Sequence, residues 1–191
     1  MTFLEILALL YLVIFPPIPL AWIIIHPTIK LWRKLGKLSY YVWVALWLIF
    51  AIVAFKYRSI LLANQGEFRI FPFIAALLAI FFSLYLDKKR AEVFSIRQLF
   101  GFPEIMPSRY SQALVTTGIY SKIRHPRYVE YVFFSWGIAL LTRFPMMYIA
   151  ALYMTLGLYI LAVVEERELL QRFGKPYEEY CKKVPRFLPK W

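Results

Sequence analysis

Chemically capable side chains crowd two short stretches of an otherwise apolar chain. The first, "GIYSKIRHPRYVEY" at 118–131, sets Lys122, Arg124, His125, Arg127 and Glu130 against the apolar run "YVFFSWGIALLT". Pro126 suits the first turn of a helix, where its missing N–H costs nothing. A helix beginning there would offer unpaired backbone N–H groups and a positive dipole end. With Arg124 and His125 as added donors, it would favour a carboxylate or phosphate. Gly118 permits a tight turn just before it.

The second stretch, "EERELLQRFGKPYEEYCKKVPRFLPKW", opens with Glu165 and Glu166 directly after 21 uncharged residues. "ERELLQRF" continues as helix, and Gly174 with Pro176 ends it. "YEEYCKK" reads as a further short helix and "VPRFLP" as an extended strap. Taken singly, each piece has a plain structural reading. His125 could be a cap, Glu165 and Glu166 interface charges paired to Arg167 or Arg172, and Tyr120, Tyr128 and Tyr131 interface aromatics. Together they describe a partly buried polar pocket where two membrane helices meet two basic segments.

The elements that hold these groups follow from hydropathy. Hydrophobic residues make up 61% of the 191, above the ~45–50% of ordinary globular proteins, so the bilayer replaces part of the core. The expected fold is all-α: a polytopic integral membrane protein of about five transmembrane helices. Spans are read at 6–25 (kinked by "PPIP"), 38–55, 70–86 and 144–164. A fifth, over 131–142, is too short unless it extends back through Glu130 and Tyr128, which must then face protein or water. Residues 1–90 would carry three of the helices, and 91–191 the functional half. "MTFLEILALLYLVIF" lacks a basic leader and a cleavage site, and reads as a retained first helix. Trp32, Trp43, Trp47 and Trp136 are candidate interface anchors.

Five spans put 19 of the 23 Lys and Arg residues on one side. By the positive-inside rule this places the N-terminus outside, the C-terminus in the cytoplasm, and both polar stretches on the cytoplasmic face of the cell membrane. The net charge of +12 is then assigned to anionic lipid headgroups rather than nucleic acid, because no basic helix or aromatic–basic repeat occurs. One cysteine, Cys181, and two histidines, His26 and His125, exclude a disulfide framework and argue against a metal centre.

"LVTTGIYSKIRHPRYVEY" followed by "EERELLQRFGKPYEEYCKKVPRFLP" resembles the isoprenylcysteine carboxyl methyltransferase family and its relatives among phospholipid methyltransferases. The resemblance covers roughly residues 110–189. It implies S-adenosylmethionine as methyl donor, S-adenosylhomocysteine as product, and a lipophilic acceptor entering from the bilayer. It assigns cofactor contacts to Gln112, Ala113, Leu114, Val115, Tyr120, His125, Pro126, Arg127, Tyr128 and Glu165, beside the turn at Gly118. The methionyl carboxylate would sit at Pro126 and His125, and Tyr120 and Tyr128 would contact adenine or sulfonium. Arg124, Glu130 and Glu166 are the candidate catalytic groups, the glutamates as bases should the acceptor be an amine. Two positions depart from the family pattern: Glu130 replaces a glycine, and Leu161 stands where enzymes acting on prenylated proteins carry an arginine. The similar tail of sterol reductases, which use NADPH, leaves a reductase as the rival enzyme. A membrane scaffold is the non-enzymatic rival.

Overall fold

The computed structural model describes residues 1–110 and 113–189, and among these residues every regular element is helical. Thr2 and Glu5 form a capping box that starts α1 (Phe3–Ile14). Pro16 and Pro17 interrupt the backbone ladder, and the chain resumes as α2 (Pro17–Ile25). Phe15 and Pro16 keep right-handed helical angles, so the expected break is a kink rather than a turn. There follow α3 (Ile29–Leu35), α4 (Leu38–Lys56), α5 (Arg58–Leu61), α6 (Ile70–Ala91), α7 (Ile96–Leu99) and α8 (Phe102–Ile105). A 3₁₀ turn at Gly118–Ser121 precedes α9 (Pro126–Thr142), α10 (Pro145–Phe173) and α11 (Lys175–Lys183).

Among the described residues, four stretches are long and apolar enough to cross a bilayer: Phe3–Ile25, Leu38–Lys56, Ile70–Ala91 and Pro145–Phe173. The expected fifth, α9, does not reach that standard. Its 17 residues rise about 25 Å against a hydrocarbon core of ~30 Å, and they include Arg127 and Glu130. It is sheltered instead, packed along α6 and α10. Gly137 makes the first contact close: a Cβ there would lie 2.6 Å from Ile80 Cγ1 and 3.2 Å from the Ile80 nitrogen. Glu130 needs that shelter. It is 6% exposed, and its Oε2 accepts from Arg90 Nε at 3.0 Å, Arg90 also pairing with Asp87. A charge on an intramembrane helix is tolerated when it faces a partner rather than lipid.

Large apolar side chains such as Ile52, Phe71 and Phe81 cover the outer faces of α4 and α6, as suits a bilayer. Two of the candidate anchor tryptophans serve packing: Trp47 Nε1 donates to the Val13 carbonyl, and Trp136 Nε1 to Thr155 Oγ1. Trp32 is buried, its Nε1 donating to Thr28 Oγ1.

The two ends of the bundle are each stitched together. At one, the Gly66 N–H donates to the Arg143 carbonyl, Arg143 Nε donates back to the Gly66 carbonyl, and Gln65 donates to the Thr142 carbonyl. At the other, Arg33 Nε donates to the Glu104 carbonyl, while Arg124 and His125 bond the C-terminal strap. Thus the basic-poor connections share one end and the basic-rich segments share the other.

Candidate active site

The "RHP" turn is built by a strap that comes from the far end of the chain. The Arg124 and His125 N–H groups donate to the carbonyls of Pro185 and Arg186, so 184–189 lies against the turn. Pro126 then takes the first helical position of α9, with His125 as N-cap. Arg124 closes the end of α11 by donating Nη1 to the Cys181 and Val184 carbonyls, a favoured place for a cation. Upstream, Gly118 adopts φ +60°, and a Cβ there would meet Val93 Cγ1 at 2.9 Å. This turn swings Tyr120 inward, where its ring stacks on Phe94 and its carbonyl accepts from Tyr180 Oη.

Glu165 and Glu166 are neighbours on α10 and point about 100° apart. Glu166 faces the strap. It accepts from Arg124 Nε and Nη2, from Arg186 Nε and Nη2, and contacts His125 Nε2 at 3.0 Å. Glu165 faces a cleft. Its Oε2 accepts from Tyr128 Oη at 2.5 Å and stands 3.4 Å from His125 Nδ1, with the His125 and Tyr128 rings stacked at 5.1 Å.

The cleft and the solvent at its open mouth together take in about 900 Å³. It gathers Ala113, Leu114, Val115, Tyr120, Arg124, His125, Arg127, Tyr128 and Glu165 from the expected residues. Gly118 and Pro126 shape the backbone around it, and Gln112 lies outside the described residues. Glu130 and Glu166 are not brought to it: the first is held by Arg90 and the second by the strap. Arg124 borders it with donors already directed at Glu166 and the end of α11. Leu161 is fully buried in the core. Four of the amides around the start of α9, expected to be free, are occupied as well. Those of Arg124 and His125 meet the strap, and those of Tyr128 and Val129 meet the His125 carbonyl.

The rest of the lining was not foreseen. Trp22 and His26 reach it from the end of α2, Glu104 from α8, and Leu169 and Arg172 from α10. Arg172 was legible as a wall residue: positions 165, 169 and 172 share one helical face. His26 and Glu104 had no such signal.

Electrostatics divide these groups. Burial alone would depress His125, but the hydrogen bonds and charges of Glu165 and Glu166 outweigh it and hold the ring above its ordinary value. Burial depresses His26, with Glu165 opposing and Arg172 and Arg127 reinforcing. Burial pushes the Glu104 carboxyl up to about 7, against the pull of Arg172.

His125 and Glu104 thus both bind protons more tightly folded than unfolded. The stability each contributes is complete below its unfolded value and lost as pH climbs through its folded one. For Glu104 that window runs from 4.5 to about 7, and for His125 it lies above 6.5. His26, held below its ordinary value, works the other way up to 6.5, so the melting temperature of the ligand-free protein in detergent should fall chiefly between pH 6.5 and about pH 8, where His125 and Glu104 alone of the three still titrate. Glu104→Gln should flatten the acidic part of that slope. A melting temperature that rises across this range would contradict the assignment.

Comparison with known proteins bears on the same half of the chain. A family model described as phospholipid methyltransferase matches residues 71–176. A protein-S-isoprenylcysteine O-methyltransferase from Xenopus laevis is 38% identical over 80 residues, covering 41% of this chain and 28% of that protein. The protein of the same description from Schizosaccharomyces pombe is 37% identical over 94 residues, covering 47% and 39%. A delta(14)-sterol reductase from Mus musculus is 29% identical over 89 residues, covering 45% and 21%. The chain therefore spans well under half the length of each of these relatives.

Proposed function

The chain belongs to the phospholipid methyltransferase family, and on that footing we propose that it methylates a lipophilic acceptor, with S-adenosylmethionine as donor, at the cytoplasmic face of a membrane. When bound, the donor would supply a methyl group from its sulfonium to the acceptor, with S-adenosylhomocysteine as the leaving group. The supporting observation is the buried triad of Glu165, Tyr128 and His125 along one cleft wall. Its carboxylate suits ribose hydroxyls, and its aromatic faces suit a cation.

The residues fit such a molecule. Ala113, Leu114 and Val115 offer an apolar edge to a flat base, facing Tyr120 stacked on Phe94. Methyl transfer from a cation disperses charge, so the protein's task is to position both partners and keep the site dry. Acceptors with a carboxylate or thiolate need no base at the transfer step. For an amine, neither Glu130 nor Glu166 is placed to take the proton, since both are held in ion pairs away from the cleft. Of the three acceptor classes, carboxylate, thiol or amine on a membrane-soluble molecule, the pairing of Glu130 and Glu166 favours the first two.

The sterol-reductase match keeps a second reading in view, in which the same cleft takes NADPH. Titration calorimetry on the purified protein separates the two. S-adenosylhomocysteine should bind and NADPH should not. Binding of NADPH alone would replace the methyltransferase reading with the reductase one.

A further inference from the structure

Two turns along α10 from Glu165, the cleft wall carries polar atoms with nothing to bond among the described residues. His26 Nδ1, Glu104 Oε2 and Arg172 Nε are each buried without a hydrogen-bond partner among those residues, and all three side chains line the cleft. Stranding three such atoms is a cost that a folded protein rarely accepts without a ligand or water in place. They form one cluster. Arg172 Nη2 stands 3.9 Å from Glu104 Oε1 and donates to Glu168 Oε2, and the His26 ring sits 5.4 Å from that of Trp22. Gly101 lets Trp22 pack in: a Cβ there would lie 2.1 Å from the indole. The cluster offers an anion, a cation and a neutral imidazole side by side.

We propose that His26, Glu104 and Arg172 form a subsite for a zwitterionic amino-acid group, its ammonium meeting Glu104 and its carboxylate meeting Arg172. The inference rests on the methyl-donor reading above and assigns the group to the methionyl end of that donor. It revises the expected placement. Near the start of α9 the amides of Arg124 and His125 are bonded to the strap and those of Tyr128 and Val129 to the His125 carbonyl, and both nitrogens of the His125 ring face carboxylates. Of the donors at that end, Arg127 gives Nη1 to the Leu99 carbonyl, whereas at the Arg172 end three polar atoms stand without a partner among the described residues. Glu165 and Tyr128 are then left to the ribose and sulfonium.

A proton accompanies the binding. The free protein holds the Glu104 carboxyl up to about 7, among Arg172, Glu165, Glu168, Arg127, Arg33, His26 and Tyr40. An incoming ammonium favours the carboxylate, so near neutral pH the proton leaves.

The test compares S-adenosylhomocysteine with 5′-methylthioadenosine, which lacks the amino-acid end, by calorimetry in buffers of different ionisation heat. The wild-type protein should bind the first about tenfold or more tighter, releasing a proton only with it. Glu104→Gln should remove that preference and the proton, leaving methylthioadenosine binding within about twofold; Arg172→Gln should remove the preference likewise. Equal weakening of both ligands by Glu104→Gln, or no weakening of either, overturns the subsite. A wild-type protein that binds both nucleosides equally overturns the subsite alone. One that binds neither overturns the donor reading, and the subsite with it.

Discussion

Glu166→Ala is expected to free the C-terminal strap and cost on the order of 3–5 kcal/mol of stability. Its carboxylate is 13% exposed and is the shared anion of Arg124, His125 and Arg186, the first two themselves 10% and 6% exposed. Deleting it leaves those cations facing one another with their desolvation uncompensated, the situation in which a broken buried ion pair costs most. For a chain of this size the loss corresponds to a melting temperature lower by on the order of 10 °C. The strap then keeps the backbone bonds from Arg124 and His125, the Arg124 bond to the Val184 carbonyl and the ring contacts of Phe187, but loses the ion pair that fixes Arg186, so protease should reach the Pro185–Phe187 region well before the helices. Glu166→Gln keeps the shape and one acceptor oxygen, and should lose less. Ligand affinity should fall with the strap, because the strap carries the "RHP" turn. An Ala variant with unchanged melting and an uncleaved tail would show that Glu166 is a surface charge and no more.

Much of this arrangement was legible before any coordinates, and the reason is local chemistry. Pro126 starts a helix, Gly174 stops one, and "PPIP" bends one, because each acts through its own backbone. What could not be read were pairings across distance. Glu130 looked available to a substrate because its partner, Arg90, lies 40 residues away on α6. Glu165 and Glu166 looked interchangeable until helix phase set one towards the cleft and the other towards the strap. His26 and Glu104 come from segments where the sequence shows little beyond hydropathy, and only packing carries them to the cleft. The expected fifth span shows the same divide. Its low apolar length was visible, but its shelter between α6 and α10 was not.

Glu165→Gln should weaken S-adenosylhomocysteine binding by roughly 10- to 100-fold while leaving the fold in place. A hydrogen bond to a charged group is worth about 1.5–3 kcal/mol, and each 1.4 kcal/mol is a factor of ten. The substitution conserves volume and keeps an oxygen for Tyr128 Oη, so packing along α10 should survive. What disappears is one of the two negative charges that hold His125 above its ordinary value. The His125 ring should therefore titrate at lower pH in the variant, a change that NMR of the ring protons reads independently of any ligand. Tyr128→Phe provides the complement. It removes the donor to Glu165 but leaves both charges on His125, so affinity should drop less and the His125 titration should barely move. The two readouts separate the possible roles. Lost affinity with a shifted His125 places Glu165 at the ligand and beside the imidazole together, as the cleft geometry requires. A shifted His125 with full affinity would make Glu165 a support for the "RHP" turn, and the ribose would then need another partner on the cleft wall.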